Sequence, residues 1–313
     1  MKQLFFLLAF SFLIFSCENE STDSIDDNTP ETPALVLKEM LALNETFGGQ
    51  DLSYFNTLGQ PTSNDVTLSN GNEYTREKFF YNENNHRDSV FIQMGFEARY
   101  VVYNYEGNQL TNIVSTSPST QNANINWDLS YDGNEMYVMR DYIFENETVT
   151  SIQKFVFSDE THEKLLYSEF VNTDALPSLK YEYMYDSNSN LIQRTELELN
   201  NNTQSLEVVS TIEYSYDGKK NPFKSLPGTN YLVMSNAYLS NTPIFTLNYQ
   251  STNNVTSKTR TTDNNVKSWT YEYEYNELDF PINIIDTEYN STQVGDEPVI
   301  YRIYNKTLTY YNN

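Results

Sequence analysis

Two histidines, His86 and His162, and one cysteine, Cys17, are the side chains of this chain best suited to bind a metal or act as a nucleophile near neutral pH. Each histidine lies five residues beyond an aromatic strand end, Tyr81 or Phe157, so both belong to turns, and the two turns are not neighbours. A metal site or an acid/base pair would need a cysteine or a converging carboxylate beside them, and the sequence places neither there; two solvated turn residues are expected. Asp186-Ser187-Asn188-Ser189-Asn190 begins like a calcium loop, but Leu191 and Leu197 occupy the sixth and twelfth positions, where such a loop needs glycine and a bidentate glutamate. It reads as a polar hairpin turn. The 43 acidic residues offer many carboxylate pairs, yet the separation that marks a glycosidase pair is spatial, and no spacing in the chain singles one out. No Gly-x-Ser-x-Gly elbow, phosphate loop or dinucleotide fingerprint occurs, so neither a cofactor nor a metal is expected. What remains is aromatic. Trp127, Trp269, Tyr183, Tyr185, Tyr214, Tyr216, Tyr273 and Tyr275 can stack on sugar rings or peptides, although ladders at strand spacing serve equally as cross-strand packing.

The bulk properties narrow the classes. With 19 basic against 43 acidic residues the net charge is -24, and no basic stripe exists to displace counterions from a nucleic acid. A single cysteine precludes an internal disulfide framework or a multi-cysteine zinc site. The 26 tyrosines and 18 phenylalanines are far too many for a disordered chain, and 313 residues suffice for one large β domain.

Lys2 precedes an apolar run from Leu4 to Phe15, broken only by Ser11, and the run ends at Ser16-Cys17. This is the layout of a signal peptide over residues 1–16, and the run is too short to span a bilayer, which takes ~20 apolar residues. Ile14-Phe15-Ser16-Cys17 resembles the lipobox of bacterial lipoproteins, with Phe15 bulkier than the residue usual there. The resemblance implies cleavage before Cys17, lipidation of its thiol, and attachment to the outer membrane through the lipid alone. Each buried methylene contributes ~0.8 kcal/mol, so two or more acyl chains hold stably where one is marginal. Residues 17–33 are acidic and polar, end in prolines and read as a disordered tether. Their acidic start also resembles surface-export signals of some Gram-negative lipoproteins, which implies an outward-facing protein.

From Thr32-Pro33 onward, Leu35, Leu37, Met40, Leu41 and Leu43 follow a period near 3.6, which predicts a short amphipathic helix over residues 34–47, stopped by Gly48-Gly49. Beyond Leu52 alternation takes over. An aromatic residue followed by a polar turn recurs nine times, at Tyr81, Tyr105, Tyr131, Phe157, Tyr185, Tyr216, Tyr249, Tyr275 and Tyr304. A second large apolar residue stands two positions earlier in eight of the nine units, at Phe79, Tyr103, Leu129, Phe155, Tyr183, Tyr214, Leu247 and Tyr273, and only Arg302 departs from the rule. Period-2 geometry puts each pair on one face, with Glu182, Glu213, Glu272 and Glu274 on the other. Each unit is therefore one hairpin of a repeat architecture.

Nine hairpins predict an all-β fold, a long antiparallel up-and-down meander of about 16–18 strands filling residues 52–313, and sheets of more than ~10 strands curl, split or close. A barrel or half-barrel is expected, and a closed ring of that size would leave a lumen too wide for side chains to fill. Tyr183-Met184-Tyr185-Asp186 and Tyr214-Ser215-Tyr216-Asp217-Gly218 resemble the tyrosine-aspartate repeats of Rhs and teneurin shells. Leu52 to Asn313 as a whole is more similar to an uncharacterised bacterial lipoprotein family with a porin-like fold. These resemblances imply an architecture and carry no catalytic or ligand residue with them.

The function expected is that of a non-catalytic, lipid-anchored protein of the cell envelope whose tyrosine-rich concave sheet binds a glycan or peptide. The alternatives are a secreted hydrolase, revealed by carboxylates of raised pKa facing one cleft, a purely structural repeat with a filled interior, and an integral outer-membrane barrel with an apolar band toward lipid. The acidic balance and the ending Tyr310-Tyr311-Asn312-Asn313 speak against the last.

Overall fold

The computed structural model describes residues 35–94, 97–116, 125–144, 147–162, 164–171, 177–224, 251–293 and 295–311. The expected signal peptide, Cys17, the tether, and the anchor pair Leu247 and Tyr249 lie outside them. The first nine strands are β1 (Leu37–Asn44), β2 (Gln50–Phe55), β3 (Pro61–Thr67), β4 (Glu73–Tyr81), β5 (Arg87–Met94), β6 (Glu97–Glu106), β7 (Gln109–Thr116), β8 (Ile125–Asp132) and β9 (Glu135–Phe144). The remaining ten are β10 (Glu147–Phe157), β11 (Leu165–Val171), β12 (Leu179–Tyr185), β13 (Leu191–Asn200), β14 (Ser205–Lys220), β15 (Asn253–Thr262), β16 (Asn265–Tyr275), β17 (Pro281–Tyr289), β18 (Thr292–Gln293) and β19 (Ile300–Tyr310). Every pairing is antiparallel, and the ring closes because β1 pairs with both β2 and β19. The two-residue β18 is a spur on β16, since β17 pairs directly with β19. The result is a closed barrel of 18 strands, in which each strand of the ring has a partner on both sides.

The repeat has a mechanical explanation. At Asn56, Asn82, Asp186 and Asn276 the side-chain Oδ1 accepts the backbone N–H groups of the second and fourth residues that follow. The fourth residue in each of these turns has a left-handed φ: 78° at Gly59, 61° at Asn85, 63° at Ser189 and 64° at Asp279. This is an Asx turn closing each hairpin, and it is what the calcium-like run from Asp186 to Asn190 forms. Immediately before the turn the register slips, at Tyr54/Phe55, Phe80/Tyr81, Asn104/Tyr105, Val156/Phe157, Met184/Tyr185 and Glu274/Tyr275. A bulge disrupts the ladder locally, and a buried carbonyl there needs another donor. The anchor tyrosine of the next hairpin supplies it. The hydroxyls of Tyr81, Tyr105, Tyr131, Tyr185, Tyr216 and Tyr310 donate to the carbonyls of Pro61, Arg87, Leu110, Leu165, Leu191 and Pro281 at 2.6–3.0 Å. Each hairpin is thus stitched to the one before it. Tyr185→Phe removes the bond to the Leu165 carbonyl, whose residue is 1% exposed, and is expected to lower unfolding free energy by about 1–2 kcal/mol in a urea titration.

Two expectations fail. Residues 37–44 of the expected helix form strand β1. A register shift between Leu37 and Glu39 inserts one extra residue, so that Leu37, Met40 and Ala42 share the inner face at spacings of three and two, which imitates a helical period. Gly48 and Gly49, at φ 74° and 91°, then turn the chain into β2, and a Cβ on Gly49 would sit 2.8 Å from the Thr67 carbonyl. The ninth reversal is also misplaced, because Tyr304-Asn305 is the middle of β19. Asn305 pairs with Leu43 and Ile285, and Tyr310 takes the anchor role, its hydroxyl donating to the Pro281 carbonyl at 2.6 Å.

The interior is more filled than expected. Val101, Ile113, Trp127, Phe155 and Leu165 are at most 1% exposed and belong to one cluster that runs over β5–β13. A second cluster, Leu37, Phe55, Ile284 and Leu308, lies where β1, β2, β17 and β19 meet.

Candidate functional site

The register that turns the aromatic pairs inward also turns the arginines inward. The chain has seven. Arg99 lies opposite Ile92, Arg194 and Arg260 both opposite Ile212, Arg140 opposite Ser151, and Arg302 opposite Glu288. Arg87 holds its guanidinium 5.3 Å from the Phe79 ring centre and 5.8 Å from that of Tyr103, and Arg76 bonds Asp51 at 3.1 Å. Lys258, Lys267 and Lys306 share this face, opposite Trp269, Arg260 and Ile284. The outer face is different in kind. Exposed Glu182, Glu213, Glu272 and Glu274 project from it, and Asn104, Asn112, Asn126 and Asp128 form a hydrogen-bonded row across β6–β8 at 2.8–3.1 Å.

On β13–β19 most inner carboxylates are matched. Glu288 accepts Lys267 at 2.5 Å on one oxygen and the Arg302 guanidinium on the other, at 2.5 and 2.9 Å. Burial pushes its pKa up, and the hydrogen bonds from Lys267 and Arg302 outweigh that, so the carboxyl titrates below the ordinary range. Asp286 pairs with Lys306 at 2.6 Å and Glu196 with Arg260 at 3.7 Å. Between these pairs opens a cavity of about 210 Å³, walled by Met40, Val255, Tyr271, Tyr273, Ile284 and Phe223 and edged by Asn221, Asn254, Lys258, Asp286 and Lys306. The Lys258 ammonium lies 4.3 Å from the Trp269 ring centre, and burial, followed by the neighbouring Arg194 charge, lowers its pKa.

The sequence-derived aromatic candidates divide. Trp127 is 1% exposed under Arg140, so its faces are closed. The hydroxyls of Tyr185 and Tyr216 are committed to backbone carbonyls, and that of Tyr183 bonds Ser168. Tyr214 packs against the larger cluster and also edges an open groove of about 580 Å³ with Tyr216, Asp186 and Asn253. Tyr275 is hydrogen-bonded to Asp217 and stacks on Tyr273 at 5.8 Å. Tyr273 and Trp269 are the candidates found at or beside the cavity. His86 stacks on Tyr105 at 4.8 Å, and His162 sets its edge against Phe157 and Tyr131 at 4.9 and 5.3 Å. Each histidine packs against an anchor of the repeat. The residues missed by sequence reasoning are Lys258, Lys306, Asp286 and Arg194. Arg302 carried the signal, since a charge at an inward position is what they have in common.

Against known proteins, the sequence matches no family model and no curated protein. Among solved structures the chain is similar to a porin-like protein from Bacteroides uniformis ATCC 8492, with TM-score 0.43 and 11% identity over 89% of this chain and 98% of that one. A porin-like protein from Bacteroides vulgatus ATCC 8482 gives TM-score 0.35 and 10% identity over 88% and 99%. The TcdB2-TccC3-Cdc42 structure gives TM-score 0.33 and 14% identity over 87% of this chain and 15% of that one.

Proposed function

We propose that this chain is a non-catalytic, lipid-anchored barrel of the cell envelope that binds an anionic glycan or peptide on its inner face. One observation carries the reading: in a chain of net charge -24, all seven arginines turn into the barrel. Three of these guanidinium groups meet carboxylates there, Arg76 at Asp51, Arg260 at Glu196 and Arg302 at Glu288, which supports an inner face suited to anionic groups, while an acidic exterior discourages anions from binding elsewhere. The hydrogen-bonded asparagine row and exposed glutamates make the exterior a surface for water, whereas a barrel embedded in lipid needs an outward apolar band ~25 Å tall. That contrast favours tethering through Cys17 over insertion. A glycosidase would pair a carboxyl of raised pKa with an ionised one across a cleft. Among the described residues Glu77 is the one carboxyl raised, by burial, and Asp286 at the cavity is held by Lys306.

The test is a glycan and peptide array probed with the chain beginning at Asn19. Binding confined to acidic ligands and weakened by salt is expected; uniform silence would place the structural-repeat reading ahead. For the anchor, cells fed radiolabelled palmitate should label the wild type and leave Cys17→Ala unlabelled, and equal labelling of both would remove the lipid from the proposal.

A further inference from the structure

We infer that the cavity lined by Tyr271, Tyr273 and Lys258 is a subsite for one uronic acid unit, with Lys258 receiving the sugar carboxylate. The inference rests on the binding reading above and names its ligand class.

Charge is the first argument. Asp286, Glu288 and Glu196 are each engaged by a cation of their own, while among the described residues no carboxylate comes within ion-pair distance of Lys258 or Arg194. Each of those two cations rests on an aromatic ring instead, Lys258 on Trp269 at 4.3 Å and Arg194 on Tyr181 at 5.3 Å. The Arg194 Nε is buried without an acceptor. Burial and then the Arg194 charge depress the Lys258 pKa, and the nearby Asp286 and Glu288, each engaged by another cation, do not reverse that direction. A single anion at this point relieves both the desolvation and the mutual repulsion.

Shape and chemistry select the anion. A water needs roughly 10–15 Å³ of such space, so about 210 Å³ admits a ring-sized ligand but not a folded peptide. The rings of Tyr271 and Tyr273 with Ile284 and Met40 offer apolar surface to a sugar face, and the Asp286 carboxylate offers acceptors to its hydroxyls. A polyhydroxylated ring bearing a carboxylate satisfies all three kinds of wall together.

Calorimetry with trigalacturonate and its fully methyl-esterified form, in which each carboxylate becomes a neutral ester, tests the assignment. The wild type is expected to bind the acid at least tenfold more tightly than the ester, Lys258→Met to lose that preference, and Lys180→Met, a change on the outer face, to keep it. A hydrogen bond to a charged group contributes ~1.5–3 kcal/mol, which is roughly tenfold to a hundredfold in affinity. If Lys258→Met does not fold, Trp269 reports instead. The chain has two tryptophans and Trp127 is buried, so trigalacturonate should change the emission of the wild type but not of Trp269→Phe. Equal affinity for acid and ester, an unaltered Lys258→Met, or silent Trp269 emission overturns the subsite. Triglutamate binding as tightly as trigalacturonate overturns the sugar class. Array binding that survives Lys258→Met removes this subsite and leaves the binding barrel standing, whereas failure of every array ligand removes both.

Discussion

Raised from pH 9 to pH 12, the barrel unfolds in one cooperative step, and its tyrosines ionise in that same step. The cause is the anchor repeat. An unfolded tyrosine ionises near pH 10, and burial pushes Tyr183 up to about 12. Tyr185, Tyr216, Tyr271, Tyr273, Tyr275 and Tyr310 are raised in the same direction, each with burial as the leading cause. Because the folded state holds these protons more tightly than the unfolded one, the stability they contribute is intact below pH 10 and is lost as pH climbs through the folded pKa. For Tyr183 alone the loss by pH 12 is about 2 kcal/mol, at 1.36 kcal/mol per pKa unit, against a typical total stability of 5–15 kcal/mol. Several such groups lose stability in the same direction over the same pH range. Tyrosinate absorbance and far-ultraviolet circular dichroism, followed in parallel, should move together above pH 10. Gradual ionisation centred at pH 10 with unchanged ellipticity would show that the hydroxyls are open to water and that the stitches between hairpins are not made.

The same hydroxyls show how much of the fold the sequence displays. The pair of large residues before each polar turn marks the inner face, the strand end and the direction of the next reversal, and Phe79/Tyr81, Tyr103/Tyr105 and Tyr183/Tyr185 all sit where that pattern puts them. The bulges are what the pattern hides. Alternation read backward from Tyr216 crosses a slip between Glu196 and Leu197 on the neighbouring strand, and in β1 one extra residue turns a two-residue period into a helical one. Tyr304 carries the aromatic signal without a turn because it lies within β19, paired on both sides, with Asn44 of β1 and Asp286 of β17. The charged interior was half visible. Counting by twos back from Tyr275 through Tyr273, Tyr271 and Trp269 reaches Lys267, but which carboxylate meets it depends on β17 lying between β16 and β19. Three strands meet there, and no local spacing reports it.

Glu288 is the residue on which that meeting depends. Glu288→Gln should lower stability by about 3 kcal/mol, while Glu182→Gln on the outer face changes it by less than about 0.5 kcal/mol. Both glutamates make close ion pairs, Glu288 at 2.5 Å with Lys267 and Arg302 and Glu182 at 2.7 Å with Lys180, so contact distance does not separate them. Solvent does. The Glu288 side chain is 8% exposed and that of Glu182 48%, so water replaces the lost pair at Glu182, whereas at Glu288 the change leaves Lys267 and Arg302, themselves 35% and 30% exposed, without the buried anion that joins them. Urea titrations of the two variants near neutral pH measure the contrast. Acid supplies a second readout. Since Lys267 and Arg302 hold the folded Glu288 carboxyl below its ordinary 4.5, its contribution is present above that pH and disappears as pH falls through the lowered value. Wild type and Glu288→Gln should therefore converge in stability on acidification, whereas wild type and Glu182→Gln differ little at any pH. Parallel curves for wild type and Glu288→Gln down the acid limb would mean that the carboxylate is not paired inside the barrel, and the balance of charge that leaves Lys258 free for a ligand would fail with it.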